Sequence, residues 1–295
     1  MALLDVIQRP GFQKRFFFLA KRFIAGETVD SAMDAVAALN AQGITATLDF
    51  LGEDVTSRGE AERTRDAYFD LLAAVRARGV DTNVSVKLTA MGLLIDEDLA
   101  FENLRAVIEA ASANHDPFVR IDMEGSAVTD VTLRVFERAF AQTKHVGPVL
   151  QAYLKRTPGD VEHAIELGAR VRLCKGAYRE PPDVAYQDMT AIRSHYLRSA
   201  EALLERGTYP AIATHDERII AAVEAFARER GIGRERFEFQ MLYGVRPELQ
   251  RRLVAGGYRL RVYVPYGTHW AGYFYRRVTE RRENLLFALR SMTSR

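Results

Sequence analysis

Apolar residues along this chain gather into eight short runs, and a stretch with helical spacing follows each. The runs are Thr45–Leu51, Val84–Leu88, Phe118–Met123, Val149–Leu154, Val171–Cys174, Pro210–Thr214, Phe237–Met241 and Leu260–Val264. Most are rich in β-branched or aromatic side chains, the composition of parallel strands buried on both faces. Between them, Leu104, Val107, Ile108 and Ala111 stand at i, i+3, i+4 and i+7, as do Ile219, Ala222, Val223 and Phe226. That spacing puts each set on one helix face. Asp160 is placed to cap the helix ending at Gly168, and Gly79, Gly207 and Gly231 stand where helices should stop.

Eight strand–helix units on about 250 residues is the size of a (β/α)8 barrel. A doubly wound open sheet shares the alternation. The count of eight, without a glycine-rich dinucleotide fingerprint after the first strand, favours the barrel. The expected class is α/β, with an N-terminal helical segment over residues 1–43 and a barrel catalytic domain over residues 44–295.

Composition narrows this only a little. A formal net charge of +2 on 295 residues makes no strong case for nucleic acid. The single cysteine, Cys174, excludes an internal disulfide and points to a reducing compartment. No apolar stretch approaches the about 18 residues that span a bilayer. The run Phe16 to Ala20 meets Lys21 and Arg22 at once, unlike a secretory leader, so a cytoplasmic protein is expected.

Catalytic groups of such barrels sit at the C-terminal ends of strands. Reading those ends in order gives Glu53, Lys87, Asp122, Gln151, Arg172 with Lys175, Thr214 with His215, Gln240 and Tyr263. The ensemble is the signal. A metal site is disfavoured, because His163, His195 and His269 fall in helices or loops, His115 and His145 precede strands, and HExxH and paired CxxC spacings are absent. Lys87 or Lys175 could serve as a Schiff-base nucleophile, although charged neighbours would hold either as a cation. The run Arg172 to Tyr178 offers two cations, Gly176 and an aromatic, which suits a bulky, planar, anionic ligand. Arg276 and Arg277, with Glu280 one turn on, read either as a carboxylate clamp or as a solvated basic helix face. Spacing alone leaves these readings open.

The motifs Arg172–Tyr178, Ala213-Thr214-His215-Asp216, Phe239 to Gly244, and Arg261–Gly267 followed by Arg276, Arg277 and Glu280 stand in the order found in proline dehydrogenases. The chain resembles that family from Leu48 to Phe287, in both its short monofunctional form and the matching domain of bifunctional proline-utilisation enzymes. The resemblance implies a distorted (β/α)8 TIM barrel whose last helix lies over the mouth. It implies FAD at the strand ends, held by Met123, Gln151, Arg172, Lys175, Gly176, Ala177, Thr214, His215 and Gln240. Asp122 and Arg172 match the catalytic carboxylate and the arginine near flavin N5. Lys87, Leu242, Tyr263, Arg276, Arg277 and Glu280 match substrate contacts, and Glu53 the gate that pairs with the first arginine of the clamp.

By the same resemblance, the activity is oxidation of L-proline to 1-pyrroline-5-carboxylate, with electrons passed to a membrane quinone and functional coupling to pyrroline-5-carboxylate dehydrogenase. A Schiff-base lyase and a non-catalytic small-molecule-binding barrel are the alternatives. Cys174 departs from the family's usual aliphatic, and should pack harmlessly as a small buried side chain. Asp216 stands where asparagine also occurs. The match is loose around Tyr186-Gln187-Asp188, so no cofactor contact is assigned there. Phe12, Phe16, Leu19 and Phe23 form an apolar stripe among Lys14, Arg15, Lys21 and Arg22, as an interfacial helix would. A helix packed against the barrel looks the same and is the more ordinary outcome for so short a segment.

Overall fold

The structure is a computed structural model, and residues 20–279 of it are described. The stripe from Phe12 to Leu19 and the predicted contact Glu280 lie outside the described residues. Helix α1 (Val29–Asn40) precedes eight parallel strands that close on themselves in sequential order. These are β1 (Thr45–Phe50), β2 (Thr82–Lys87), β3 (Val119–Asp122), β4 (Val146–Gln151), β5 (Arg172–Cys174), β6 (Ala211–Ala213), β7 (Glu238–Leu242) and β8 (Leu260–Tyr266). Between them run α2 (Arg58–Arg78), α3 (Glu97–Ala111), α4 (Thr129–Phe140), α5 (Thr157–Leu167), α6 (Met189–Arg206), α7 (Glu217–Glu229) and α8 (Pro247–Ala255). Helix α9 (Trp270–Thr279) follows β8. The (β/α)8 expectation holds.

Local chemistry sets the boundaries. Ser57 and Glu60 form a reciprocal capping box at the start of α2, and Gly79 ends that helix in the left-handed region at φ 61°. The stripe Leu104, Val107, Ile108 and Ala111 is buried, as its spacing requires. Asp160 does not cap α5, contrary to the sequence reading. Arg156 takes the cap position with no side-chain bond, and Asp160 sits in the first turn paired with the Arg156 guanidinium.

Period two along the strands separates two layers. In β1 and β2 the apolar Ala46, Leu48, Val84 and Val86 join the core beneath the helices. The alternate residues meet each other inside the barrel: Thr47 Oγ1 donates to Asn83 Oδ1 at 2.6 Å, and Lys87 binds Asp49. The interior is therefore a buried polar layer.

Strand β4 begins at Val146, three residues before the run read from sequence, and ends at Gln151 rather than Leu154. Gly147 and Pro148 disguise its first half. Gly147 is needed for packing, because a Cβ there would fall 2.3 Å from the Arg170 carbonyl oxygen and 2.7 Å from the Phe118 ring. Gly147→Ala is expected to destabilise the fold by about 1–3 kcal/mol through overpacking. Thermal unfolding should show a Tm several degrees lower; an unchanged Tm would count against this contact.

Candidate active site

Three positions read as strand ends lie deeper than expected. Arg172 opens β5, while Gln240 and Tyr263 stand in the middle of β7 and β8. They still converge, because β7 and β8 pair in a register that sets Leu242 against Tyr263, and neighbouring strands tilt past each other as the barrel closes.

Their meeting point is Asp122, at the end of β3. Its Oδ1 accepts from Ser85 Oγ at 2.6 Å and Arg172 Nη1 at 2.7 Å, and its Oδ2 accepts from Tyr263 Oη at 2.7 Å. The Tyr263 ring lies 5.3 Å from the guanidinium carbon. Arg172 Nε donates to Gln240 Oε1 at 2.5 Å. One guanidinium is thus fixed on several sides within a buried layer.

Lys87 is held beside this hub by both carboxylate oxygens of Asp49, at 2.8 and 2.9 Å, and both residues are buried. Burial alone would favour the neutral amine, but Asp49 and Asp122 outweigh it and raise the lysine pKa. Lys87 is a cation. Lys175 bonds Asp216 at 2.6 Å, and Arg193 bonds the same oxygen at 2.7 Å. Burial pushes the Asp216 carboxyl up, yet these two cations hold it well below the usual range. The lysines' partners are therefore Asp49 and Asp216.

After β5, Gly176 takes φ +112°, and a Cβ there would lie 2.2 Å from the Tyr153 ring. Only glycine lets this loop settle against that aromatic. His215 Nε2 accepts from the Leu242 amide at 2.9 Å, which places the proton of the neutral ring on Nδ1. At the mouth, Trp270, Ala271 and Tyr273 of α9 pack against Ile24 and Leu51. That seat brings Arg276 to Glu53 in a two-point pair, at 2.6 and 2.9 Å.

These groups surround one cavity of about 780 Å³ at the C-terminal ends of the strands. Every described site position read from sequence lines it, except Glu53, which reaches it through Arg276. Phe23 also lines it, as does Cys174, which is half-buried there and not enclosed in the wall as expected. Among the described residues no group of three or more His, Cys, Asp or Glu is placed to hold a metal ion.

The sequence reading missed Asp49, Ser85 and Glu238, which hold Lys87, Asp122 and Gln240 from inside the strands. A carboxylate between Leu48 and Phe50, and the alternation of polar residues at 83, 85 and 87, were the available signals.

The profile of the family described as proline dehydrogenase matches residues 32–290. A proline dehydrogenase of Deinococcus radiodurans is 42% identical, covering 99% of this chain and 96% of the relative. Proline dehydrogenase 1 of Bacillus subtilis is 40% identical, covering 92% and 90%. Among solved structures, proline utilization A from Bdellovibrio bacteriovorus, inactivated by N-propargylglycine, superposes with a TM-score of 0.84 at 30% identity. This chain corresponds to 33% of that larger protein, which covers 92% of it.

One buried acid beside the site yields a pH prediction. Glu124, just past β3, accepts from the Thr89 amide at 3.1 Å and from the Thr89 hydroxyl, and burial raises its pKa to about 7. Between pH 4.5 and about 7 the folded protein keeps a proton that the unfolded chain releases. Stability should therefore fall as pH rises through this window and level off above it, by up to about 3 kcal/mol. Glu124→Gln should remove that contribution to the slope; Tm profiles of both proteins from pH 4.5 to 8 that run parallel would contradict the assignment.

Proposed function

The chain belongs to the proline dehydrogenase family, and from that premise we propose that it oxidises L-proline to 1-pyrroline-5-carboxylate, using FAD and passing electrons to a quinone. The observation that carries this reading is a fixed, buried guanidinium, Arg172, in a cavity that Arg276 and Arg277 also line. The residues fit a flavin. Arg172 Nη2 and Gln151 Oε1 are buried without hydrogen-bond partners, one donor and one acceptor in the same cavity wall. Gly176 adds a loop pressed close to an aromatic ring. A volume of about 780 Å³ lies in the range of cofactor sites.

Arg172, Lys175, Gly176, Ala177, Thr214, His215, Gln240, Gln151 and Met123 would hold FAD, which supplies the two-electron acceptor when bound. Arg276 and Arg277 grip the substrate carboxylate as paired donors. Lys87, a fixed cation, disfavours a second positive charge on the substrate nitrogen, so the amine is held neutral. A neutral nitrogen lone pair is what lets the adjoining ring carbon release hydride. Asp122 holds Arg172 and Tyr263 in place while this occurs, and Leu242 walls the ring. The protein's share is orientation and charge.

A Schiff-base reaction needs a neutral lysine, and both candidates are bound to carboxylates. Among the described residues no helix is long and apolar enough to cross a membrane. We place the enzyme in the cytoplasm, meeting the membrane peripherally to reach its quinone, with a separate pyrroline-5-carboxylate dehydrogenase consuming the product.

Anaerobic addition of L-proline should bleach the visible flavin spectrum of the FAD-loaded protein. A preparation that stays colourless or inert after FAD reconstitution would overturn the reading. Arg276→Met removes one charged partner worth about 1.5–3 kcal/mol, so KM for proline should rise roughly 10- to 150-fold while Arg277 retains some binding. An unchanged KM would remove Arg276 from the clamp.

A further inference from the structure

Glu238 opens β7 on the inner face of the barrel, two residues before Gln240 on the same side, and is buried. Its Oε1 accepts from Gln240 Nε2 and from Arg261 Nε at 3.0 Å, and its Oε2 accepts from Tyr209 Oη at 3.2 Å. Gln240 then presents Oε1 to Arg172 Nε. A continuous polar chain therefore runs through the barrel, from Arg261 by way of Glu238, Gln240 and Arg172 to Asp122.

We propose that Glu238 is a positioning residue: its carboxylate fixes which way the Gln240 amide points and thereby holds Arg172 in its working orientation. The proposal rests on the reading of Arg172 as the flavin-facing arginine. The physical reason is directional. A carboxylate only accepts hydrogen bonds, whereas an amide has one accepting and one donating end. Beside Glu238, the NH2 of Gln240 must face the carboxylate, so its oxygen must face the guanidinium. The flipped amide would set oxygen against carboxylate and NH2 against guanidinium, two repulsive contacts between buried side chains.

Glu238 remains an anion in this setting. Burial raises its pKa, but Arg261, Gln240, Arg120 and Arg170 together bring it below the ordinary value. With glutamine at 238, only the donor Arg261 still demands an acceptor there, and the bar to a turned Gln240 amide weakens because the 238 side chain can itself donate. Whenever Gln240 turns, Arg172 Nε loses its acceptor, although Asp122 still holds Nη1.

The first measurement uses cofactor-free protein. Solvent exchange of the Arg172 Nε–H, followed by NMR, should be slow in the wild type and at least about tenfold faster in Glu238→Gln. The double variant Glu238→Gln with Gln240→Glu sets a carboxylate, which can only accept, against Arg172 Nε, and should recover slow exchange. In FAD-loaded protein, Glu238→Gln should shift the flavin absorption bands and lower the proline-driven reduction rate by about tenfold, with KM within about twofold, because the clamp lies elsewhere. Should Arg261, left without its carboxylate, prevent folding of Glu238→Gln, the variant Glu238→Gln with Arg261→Gln removes both ions and gives the same readouts.

Wild-type exchange, spectrum and reduction rate in the folded variant would overturn the proposal, as would fast exchange that the Gln240→Glu partner change fails to slow. A purely structural role lowers Tm and leaves these three unmoved. Because the exchange measurement needs no flavin, failure of the flavin reading is seen separately, as a wild-type protein that L-proline does not bleach.

Discussion

The ion pair between Asp122 and Arg172 is the contact on which the rest of the site depends. It joins β3 to β5 across the interior, and Ser85, Tyr263 and Gln240 are all oriented by it. A closed barrel interior cannot hydrate ions freely, so each buried charge has to be met by the protein itself or by what it binds. That requirement explains why Asp49 stands opposite Lys87 and Glu238 opposite Arg261. Removing one member would strand its partner, and so the polar layer behaves as one object.

Such a layer costs stability that an apolar interior would have kept, and what it confers is fixed direction. Carboxylates accept, guanidiniums donate, and the amides between them have no freedom to turn. At the mouth of the barrel this fixed geometry meets elements with fewer anchors. Helix α9 is seated by Trp270 and its neighbours and carries the arginine pair over the cavity. Glu53 lies just past β1, in a stretch without regular structure, with Asp54 beside it at φ 57°. Thr89 accepts from the Asp54 amide and also donates to Glu124, tying that turn to the buried acid.

Much of this was legible in the chain. Short runs of β-branched residues located all eight strands, and glycines at 79 and 168 marked helix ends that take left-handed backbone. The strand that shifted, β4, did so because Gly147 and Pro148 look like a break when only the chain itself is considered. What Gly147 accommodates is Arg170 and Phe118, which are distant in sequence. The polar residues lining the cavity could be gathered from strand ends. Their supports could not, because Asp49, Ser85 and Glu238 sit within strands, and which of them meets which cation depends on register. Contacts such as Lys87 with Asp49, separated by 38 positions, become visible only once strands are laid side by side.

On the proposed function, the Glu53–Arg276 pair limits how a substrate carboxylate can bind. Glu53 engages Nη1 and Nη2 of Arg276 together, so an incoming carboxylate cannot take the same two-point geometry without displacing it. Burial opposes ionisation of Glu53, but Arg276 more than compensates and draws its pKa below the ordinary value, so the pair persists as ions. The ligand must then approach another edge of Arg276 and rely on Arg277 for the remaining charge. On that reading, two adjacent arginines solve a problem that one cannot: Arg276 stays paired with Glu53 while both share a substrate carboxylate. A single arginine at this place would have to choose between Glu53 and the carboxylate.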